Sequence, residues 1–194
     1  MKASKLVYNT TDFIQVSGKA QTGISFTINS KKKFFGLEEW NNNETIKKRK
    51  LVYIDSFRSR ERNGDVDFIL LFMFNPTNKN VYFVGCLKNV KQLTDDEIQG
   101  IRDDLGNQDW LNTVQNHFNQ INDDGSGFKK YTKCWNSNSI VAETEKSFVL
   151  NVSYDELKFL EKPINLTEIY PEINNLKRLS VLYNLPNEIQ ELIF

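Results

Sequence analysis

One stretch of the chain is apolar at almost every position, and it predicts a central β-hairpin. Residues 66–74 are apolar except at Asp67, which is typical of a strand covered on both faces. A second apolar run, residues 80–87, follows the polar segment 75–79, whose Pro and Asn favour a turn. Gly85 lies inside the second run, where a missing side chain indicates a bulge or a close approach of another backbone.

Shorter segments with strand-like patterns surround this hairpin. Residues 24–28 alternate apolar and polar side chains, as a half-buried strand does. Asn-rich and Gly-rich segments, among them residues 41–43 and 122–127, are interpreted as loops. The other segments predicted as strands are residues 5–9, 12–17, 51–54, 128–135, 139–142 and 147–152.

Two helices are predicted directly after the hairpin. Thr94 and Glu97 have the spacing of a capping box, in which each side chain binds a free backbone N–H of the first turn. Apolar residues then recur at helical spacing until Gly106, which is placed to end the helix. A second apolar stripe at the same spacing predicts a helix over residues 109–121.

Further helix is predicted in the last quarter of the chain. Ser153 and Glu156 form a second potential capping box, and it predicts a short helix that Pro163 prevents from continuing. From residue 166 onward, Leu and Ile recur at helix-like spacing up to an apolar end. That end is typical either of the front module of a longer protein or of a docked terminal helix.

The order of these elements predicts the fold class. Strands cluster in residues 1–90 and 128–152, with helices between and after them, which indicates an α+β fold and not alternating βαβ units. We expect a curved, mostly antiparallel sheet or a small pseudobarrel with peripheral helices. The predicted division is a module over residues 1–165 and a helical extension over residues 166–194.

Composition narrows the class of protein. Of the 194 residues, 39% are hydrophobic and 12% aromatic, which is enough to build a core. No apolar run approaches the roughly 20 residues of a membrane helix, and the amino terminus lacks the apolar middle of a signal peptide. With two cysteines and one histidine, few ligands exist for a cysteine–histidine metal site. We expect a reduced, cytoplasmic protein that does not bind a membrane, a metal or a cofactor.

The hairpin lacks one of the acidic residues that the core of metal-dependent nucleases requires. Such a core needs an acid on one strand and an acid followed closely by a lysine on the next, so that two carboxylates hold Mg²⁺. Asp65 or Asp67 supplies the first acid, but Cys86 stands where the second acid belongs, two residues before Lys88. A nucleophilic cysteine would need a nearby base, and nothing in the sequence places His117 beside it.

Charge is distributed unevenly along the chain. Residues 1–91 contain 16 Lys and Arg against 8 Asp and Glu, whereas residues 92–194 contain 9 against 17. Basic residues also cluster beside aromatic ones, the combination that neutralises phosphates and stacks on bases; an ordinary solvated surface around core aromatics is the alternative. The candidate nucleic-acid-binding residues are Lys31, Lys32, Lys33, Lys47, Lys48, Arg58, Arg60, Arg62, Lys129 and Lys130.

Around the hairpin, Gly64 and Asp65 precede one apolar strand, and residues 81–84 run into Gly85. This succession resembles the core of PUA-superfamily domains of the EVE and YTH kind. In that family a Gly-Asp-apolar strand precedes a strand with an apolar-Gly pattern. Residues 82–90, YFVGCLKNV, also resemble a VGWYKNA stretch of modules in bacterial restriction and defence proteins, although Cys-Leu replaces Trp-Tyr and Val replaces Ala.

This resemblance implies a pseudobarrel that binds nucleic acid and takes a flipped, modified base into an aromatic pocket. Stacking and hydrogen bonds to the base edge must then offset the free energy of flipping. Each implied pocket residue has a core or turn position as its alternative. The candidates are Trp40, Tyr53 and Trp135 as walls, with Ser56, Asn136 and Asn138 as readers of the base edge.

The sequence therefore predicts a non-enzymatic DNA-binding module of a bacterial restriction or defence protein. Its expected partners are DNA, modified or not, and further domains of a longer chain or a nuclease subunit. Two alternatives stay open. One is a protein-interaction or assembly module that does not bind nucleic acid, and the other is a catalytic, nuclease-type domain whose site has no recognisable motif.

Overall fold

The fold is described from a computed structural model that covers residues 2–20, 24–28, 31–54, 57, 65–121, 124–136, 150–175, 183–184, 187 and 191. The described strands are β1 (Lys2–Leu6), β2 (Ile24–Ile28), β3 (Lys31–Phe35), β4 (Leu51–Val52), β5 (Val66–Phe74), β6 (Val81–Gln92), β7 (Val152–Ser153), β8 (Glu156–Asn165) and β9 (Tyr183–Asn184). The described helices are α1 (Glu44–Lys47), α2 (Asp95–Leu105), α3 (Gln108–Gln120), α4 (Ser126–Asn136) and α5 (Leu166–Ile169), with 3-10 helices at Leu37–Trp40 and Pro171–Asn175.

Seven of these strands form one mostly antiparallel sheet. Its order is β4-β7-β6-β5-β1-β9, and β8 also pairs with β6. β7 and β8 follow one another along the same edge of β6, whereas β1 and β5 run parallel. β2 and β3 form a separate hairpin. The predicted α+β class is therefore confirmed, and over the described residues the sheet is open and not closed into a barrel.

The predicted hairpin forms the centre of this sheet. β5 and β6 pair antiparallel, and the Asn75 backbone N–H closes the turn on the Asn80 carbonyl at 2.8 Å. Along β5, Ile69 and Leu71 belong to one buried cluster while Leu70 and Phe72 belong to another, on the opposite face. A strand buried on both faces has to be apolar at successive positions, which explains its sequence.

Gly85 lies at a bulge and also at a close backbone approach, so both predicted roles of this glycine are confirmed. Leu71 pairs with Gly85 and Phe72 with Phe83, which leaves Val84 as the extra residue. On the other edge, β8 passes so close that a Cβ on Gly85 would lie 2.2 Å from the Lys158 carbonyl oxygen. Residues 160–163 of β8 bow outward at this point.

A second core lies beside the sheet, between α2, α3, α4 and the end of β3. The capping box of α2 is formed as predicted: Thr94 Oγ1 accepts from the Glu97 N–H at 3.3 Å, and Glu97 accepts from the Thr94 N–H at 2.8 Å. The stripe of α3 buries Trp110, Val114 and Phe118, as its spacing predicted. None of the helices in the described part of the chain combines the length and apolarity needed to cross a membrane.

Two predicted strands are wrong. The strand expected over residues 128–135 is part of α4, because Phe128 and Tyr131, three residues apart, both point into the helical core. The strand expected over residues 12–17 is an irregular loop, because Asp12 and Phe13 have positive φ angles of 52° and 58°. A left-handed backbone cannot continue a strand ladder.

The helix predicted from the second capping box is also wrong. Residues from Glu156 onward form β8, which pairs with β6 from Lys88 to Tyr82. Alternate side chains, Leu157 and Phe159, turn toward the core while Lys158 is exposed, which is a strand pattern. Tertiary pairing with a long neighbouring strand here outweighs a local capping signal.

The end of the chain contributes to the sheet as well as to helices. α5 buries Leu166, and the following 3-10 helix buries Ile173, both in the cluster on one face of the sheet. Within the predicted extension over residues 166–194, Tyr183 and Asn184 form β9 and pair antiparallel with β1. The predicted division after residue 165 stays a prediction.

Candidate functional site

A loop of irregular backbone, residues 9–17, follows β1 and is held by one buried side chain. The Asn9 Oδ1 atom accepts from the Phe13 backbone N–H at 2.8 Å. Its Nδ2 atom donates to the Gln15 carbonyl at 3.0 Å and to the Glu39 carboxylate at 2.9 Å. An asparagine that binds its own following backbone in this way replaces the missing strand ladder.

Asparagines from the turn after the first 3-10 helix clamp this loop from the other side. The Asn42 backbone N–H donates to the Phe13 carbonyl at 2.7 Å, and Asn42 Nδ2 donates to the Asp12 carbonyl at 2.9 Å. Asn43 Nδ2 donates to the Ile14 carbonyl at 3.0 Å. Positive φ is tolerated better by Asp than by Phe, for which it is an outlier, so these contacts hold a strained conformation in place.

A buried carboxylate lies beneath the loop. Glu39 is inaccessible to solvent, and its Oε1 atom accepts from the Ser17 N–H at 2.8 Å and from Ser17 Oγ at 2.6 Å. Its Oε2 atom accepts from the Gly36 N–H at 3.0 Å. Burial raises the pKa of Glu39 to about 7, against the opposing effect of the hydrogen bonds from Ser17, Gly36 and Asn9. The group therefore titrates near neutral pH.

A second buried acid, Glu38, connects β1 to the same 3-10 helix. Its Oε2 atom accepts from the Val7 backbone N–H at 2.6 Å. Burial lowers the pKa of the nearby Lys5 ammonium, while the charge of Glu38 acts in the opposite direction. Consecutive glutamates of one short helix thus fix the start of the loop and its end.

A groove of about 430 Å³ opens between this loop and the outward bow of β8. Its floor is apolar, with Met73 and the bulge residue Val84 both nearly buried. The Phe13 ring stacks on the Phe159 ring, with centroids 5.0 Å apart and planes inclined by 16°. The strained turn and the bulge therefore shape one cavity together.

The rim of the groove is polar and acidic. Asp12 and Ile14 lie on the loop side, and Glu161 lies on the β8 side. Both carboxylates are exposed, and neither forms an ion pair with another described residue. Ile14 is 45% exposed, so apolar surface continues from the floor to the edge. The groove joins an apolar interior to a negative rim that no described residue neutralises through an ion pair.

The structure places two predicted walls of a base pocket in the helical core. Trp40 and Tyr53 are each 2% exposed and belong to the same buried cluster. The Trp40 indole N–H donates to His117 Nδ1 at 3.1 Å, the partner that a buried tryptophan requires. Their burial favours the core alternative for both residues.

The remaining candidates for the base pocket are only partly described. Trp135 and Asn136 are placed at the end of α4 by their backbone, and their side chains lie outside the described part of the structure. Ser56 and Asn138 also lie outside the described residues. The predicted roles of these four residues stay predictions.

The predicted basic residues fall on different elements, and two of the clusters adjoin. Lys31, Lys32 and Lys33 lie on β3, which pairs with β2, and β2 contacts α4. On α4, Lys129 and Lys130 are exposed. The elements that carry these two clusters, the β2–β3 hairpin and α4, are therefore neighbours in the fold.

The other basic residues are less concentrated. Lys47 pairs with Glu44 at 3.2 Å, and Lys48 is exposed beside it. Arg49, in the same turn, is neutralised by Asp104 at 2.8 Å. The three arginines predicted to contact DNA, Arg58, Arg60 and Arg62, lie outside the described residues.

The residues considered for catalysis are not brought together. Lys88 forms an ion pair with Glu156 at 2.8 Å. Lys88 lies opposite Phe68 in the sheet, and Asp67, the residue before Phe68, points to the other face of the sheet. Burial raises the pKa of the Cys86 thiol, which packs on a different core from the one that His117 joins through Trp40. In the described part of the chain no three His, Cys, Asp or Glu side chains are grouped as a metal site would need.

Sequence reasoning missed the groove, although local signals for one wall were present. The Asn-Thr-Thr-Asp sequence from Asn9 to Asp12 has the composition of an Asx turn, and two of the three asparagines at 41–43, Asn42 and Asn43, are its clamp. The other wall depends on residues 160–163, which have no local signal for an outward bow. Comparisons with family models, curated proteins and solved structures find no match to this chain.

Proposed function

We propose that the chain is a non-enzymatic, cytoplasmic DNA-binding module, and that it contacts phosphates with the side formed by the β2–β3 hairpin and α4. The observation that carries the proposal is the adjoining position of two lysine clusters that are remote in sequence. Lys33 on β3 is partly exposed, and Lys129 and Lys130 are exposed on α4. Clustered cations gain free energy on a nucleic acid because they release its condensed counterions.

The helices α2 and α4 differ in the acidic residues of their first turns. α2 carries Asp95, Asp96 and Glu97 in its first turn, whereas α4 has no acidic residue in its first turn. Arg49 already binds Asp104 of α2. The two helices thus differ in charge, which supports α4 as the phosphate-contacting helix.

Recognition of a modified base by flipping is part of the proposal, and it now depends on α4. Trp40 and Tyr53 are buried in the core, whereas Trp135 shares a helix with Lys129 and Lys130. We propose that the Trp135 ring stacks on a base while the lysines hold the backbone. This fits the expected role in a bacterial restriction or defence system, with a nuclease subunit or further domains as partners.

The test is the affinity of the protein for DNA duplexes over a range of salt concentrations, measured by fluorescence anisotropy. We expect the binding constant to fall steeply with salt, and the variant Lys129→Gln/Lys130→Gln to reduce the slope of log K against log salt by up to about 2. Duplexes with unmodified, methylated and hydroxymethylated cytosine, and the RNA duplex of the same sequence, identify the preferred target.

The matched control removes the same charge from another element. Lys158 and Lys162 are exposed on β8, so Lys158→Gln/Lys162→Gln should leave the salt slope of the wild type unchanged. Equal loss in both variants would mean that net charge and not the α4 side drives binding. Undetectable binding to every duplex at low salt would refute the proposed function.

A protein-interaction module is the second candidate, and one observation favours it. Ile164 at the end of β8 and Ile169 in α5 are 39% and 49% exposed, close together in the chain. Exposed large apolar side chains often mark contact surfaces. An interaction through them would persist at high salt, which separates this function from phosphate-driven binding.

A further inference from the structure

We infer that the groove between loop 9–17 and the bow of β8 binds a small organic cation with an apolar body. The proposal goes beyond DNA binding, since it concerns a different surface and a different class of ligand. Its volume of about 430 Å³ lies within the roughly 300–1,000 Å³ of small-molecule sites. A ligand of one aromatic ring and a short chain fits within such a space.

The floor specifies the apolar part of the ligand. Met73, Val84 and the stacked pair Phe13 and Phe159 line the cavity with apolar side chains. Removing an apolar group from water at such a floor is favourable in proportion to the area covered. Leu160 extends this surface along the β8 side.

The rim specifies the charge of the ligand. Asp12 and Glu161 stand on opposite sides of the opening, and neither is neutralised by another described residue. Asn9 and Asn42 supply the other polar groups, and no lysine or arginine is among the described residues that line the groove. An ammonium or guanidinium group is attracted by both carboxylates, whereas a phosphate or carboxylate is repelled. The groove is therefore not a site for the DNA backbone.

The walls are preformed, which reduces the conformational entropy that binding must overcome. The loop side is held by Asn42 and Asn43 in a conformation that Phe13 would not adopt alone. On the other side β8 is paired with β6 before and after residues 160–163, with Phe159 opposite Gly85 and Ile164 opposite Phe83. Both carboxylates are thus attached to backbone that is already ordered.

The experiment titrates the full chain with three probes of similar shape and different charge, followed by two-dimensional amide NMR. The probes are phenethylamine, phenethyl alcohol and phenylacetate. We expect phenethylamine to bind about threefold to tenfold more tightly than the alcohol, as two exposed ion pairs allow, and phenylacetate to bind most weakly. The amide shifts should be confined to residues 12–14, 84 and 159–161.

The variant that tests the rim keeps the backbone unchanged. Asp12→Asn suits the positive φ at this position, because asparagine also tolerates the left-handed region, and Glu161→Gln changes only the charge. The double variant should bind phenethylamine and phenethyl alcohol equally. The control Glu172→Gln removes an exposed acid that does not line the groove and should keep the preference for the amine.

Several results would overturn the inference. Equal affinities for the three probes, shifts located elsewhere, or an unchanged amine preference in the double variant would each do so. A capped Phe-Lys dipeptide that bound at least tenfold more tightly than phenethylamine would make the groove a peptide site instead. Because the titrations contain no DNA, their outcome does not depend on the proposed DNA binding.

Discussion

The buried carboxylate of Glu39 joins three segments that are separate in the chain. It accepts hydrogen bonds from Asn9, from Ser17 and from the backbone of Gly36, so it connects both ends of loop 9–17 to the first 3-10 helix. Its surroundings contain donors on every side, which suits an ionised group, while its complete burial suits a neutral one. The balance raises its pKa to about 7.

This pKa makes the stability of the fold depend on pH in a defined direction. The folded carboxyl has a pKa of about 7 against the ordinary value of 4.5, so the folded state binds more protons between these values. The contribution of Glu39 to the free energy of unfolding is therefore greatest below pH 4.5 and is lost as the pH rises through 7. The full change is on the order of 3 kcal/mol, since each pKa unit is about 1.4 kcal/mol.

The measurement is urea unfolding at several pH values for the wild type and Glu39→Gln. The variant should lose the decline in stability between about pH 5 and 7.5. Its overall stability should be lower, because the amide NH2 group that replaces Oε2 cannot accept from the Gly36 N–H. Glu44→Gln, at an exposed site, should keep the wild-type slope. Parallel curves for Glu39→Gln and wild type would show that the donors keep Glu39 ionised throughout.

His117 gives an opposite dependence at lower pH. Burial lowers its pKa from 6.5, and its Nδ1 atom accepts the hydrogen bond of Trp40, which requires that nitrogen to be unprotonated. The unfolded state therefore binds more protons as the pH falls below 6.5, and the contribution of His117 is lost in that direction. Comparing Glu39→Gln with wild type isolates the glutamate, because both proteins contain the histidine.

Among the elements, the pairing of β6 with β8 depends on one glycine. At Gly85 the β8 backbone comes so close that a Cβ would lie 2.2 Å from the Lys158 carbonyl oxygen and 3.0 Å from the Phe159 Cα. Both obstacles are backbone atoms, which move only if the strand moves. The missing side chain of Gly85 is thus a condition for the register that creates the bow at residues 160–163.

We expect Gly85→Ala to destabilise the protein by about 1–3 kcal/mol or more, the range of overpacking in a tight site. The matched control is Gly100→Ala, because a Cβ there meets no atom within 4 Å and the residue lies inside α2. In a helix the same change should stabilise by roughly 0.5–1 kcal/mol. Chemical denaturation measures both, and equal effects would contradict the close approach at Gly85.

At the scale of the whole molecule, the decisive feature is that the described residues form three separate cores. One cluster covers the face of the sheet that carries Ile69 and Leu71, a second covers the face that carries Leu70, and the third lies among the helices. β4 connects two of them, since Leu51 packs into the helical core and Val52 into the core on the sheet. Leu150 and Val152 divide between the same two cores, so β4 and the segment of β7 that pairs with it together join the helical core to the sheet.

A pair of neighbouring substitutions tests whether both faces of the sheet are covered. Leu70→Ala and Leu71→Ala should each cost about 2–5 kcal/mol of unfolding free energy, because both side chains are fully buried although they point in opposite directions. The control Ile169→Ala, at an exposed position, should stay within about 0.5 kcal/mol. A small effect at Leu70 or Leu71 alone would mean that one face is open to solvent.

The elements that the sequence predicted correctly are those with a strong local pattern that no contact with another segment overrides. Residues 66–74 had to be a doubly covered strand because they offer no polar face, and Thr94 with Glu97 satisfies helical N–H groups without help from the rest of the chain. The α+β class follows from such elements and their order. Hydrogen bonds and apolar periodicity within a few residues are sufficient for both.

Elements with weak or conflicting local signals were decided by tertiary contacts. Residues after the capping box at Ser153 and Glu156 form a strand, because they pair with the edge of β6. Phe128 and Tyr131 are helical, because helical spacing lets both pack into the aromatic core on one side of α4. Trp40 is a core residue for the same reason, since His117 satisfies its indole inside the protein. Local preferences of this kind are worth less than the burial that a partner segment provides.

The groove, too, is decided by tertiary contacts and has no local signal as a whole. Its walls come from residues 9–14, Asn42 and residues 159–163, which are remote in sequence and have no common pattern. Each segment alone reads as a loop or as an interrupted strand. They enclose a cavity because the asparagine clamp fixes the backbone of the loop and the close contact at Gly85 fixes the backbone of β8. The distance between these two backbones is a property of the folded chain.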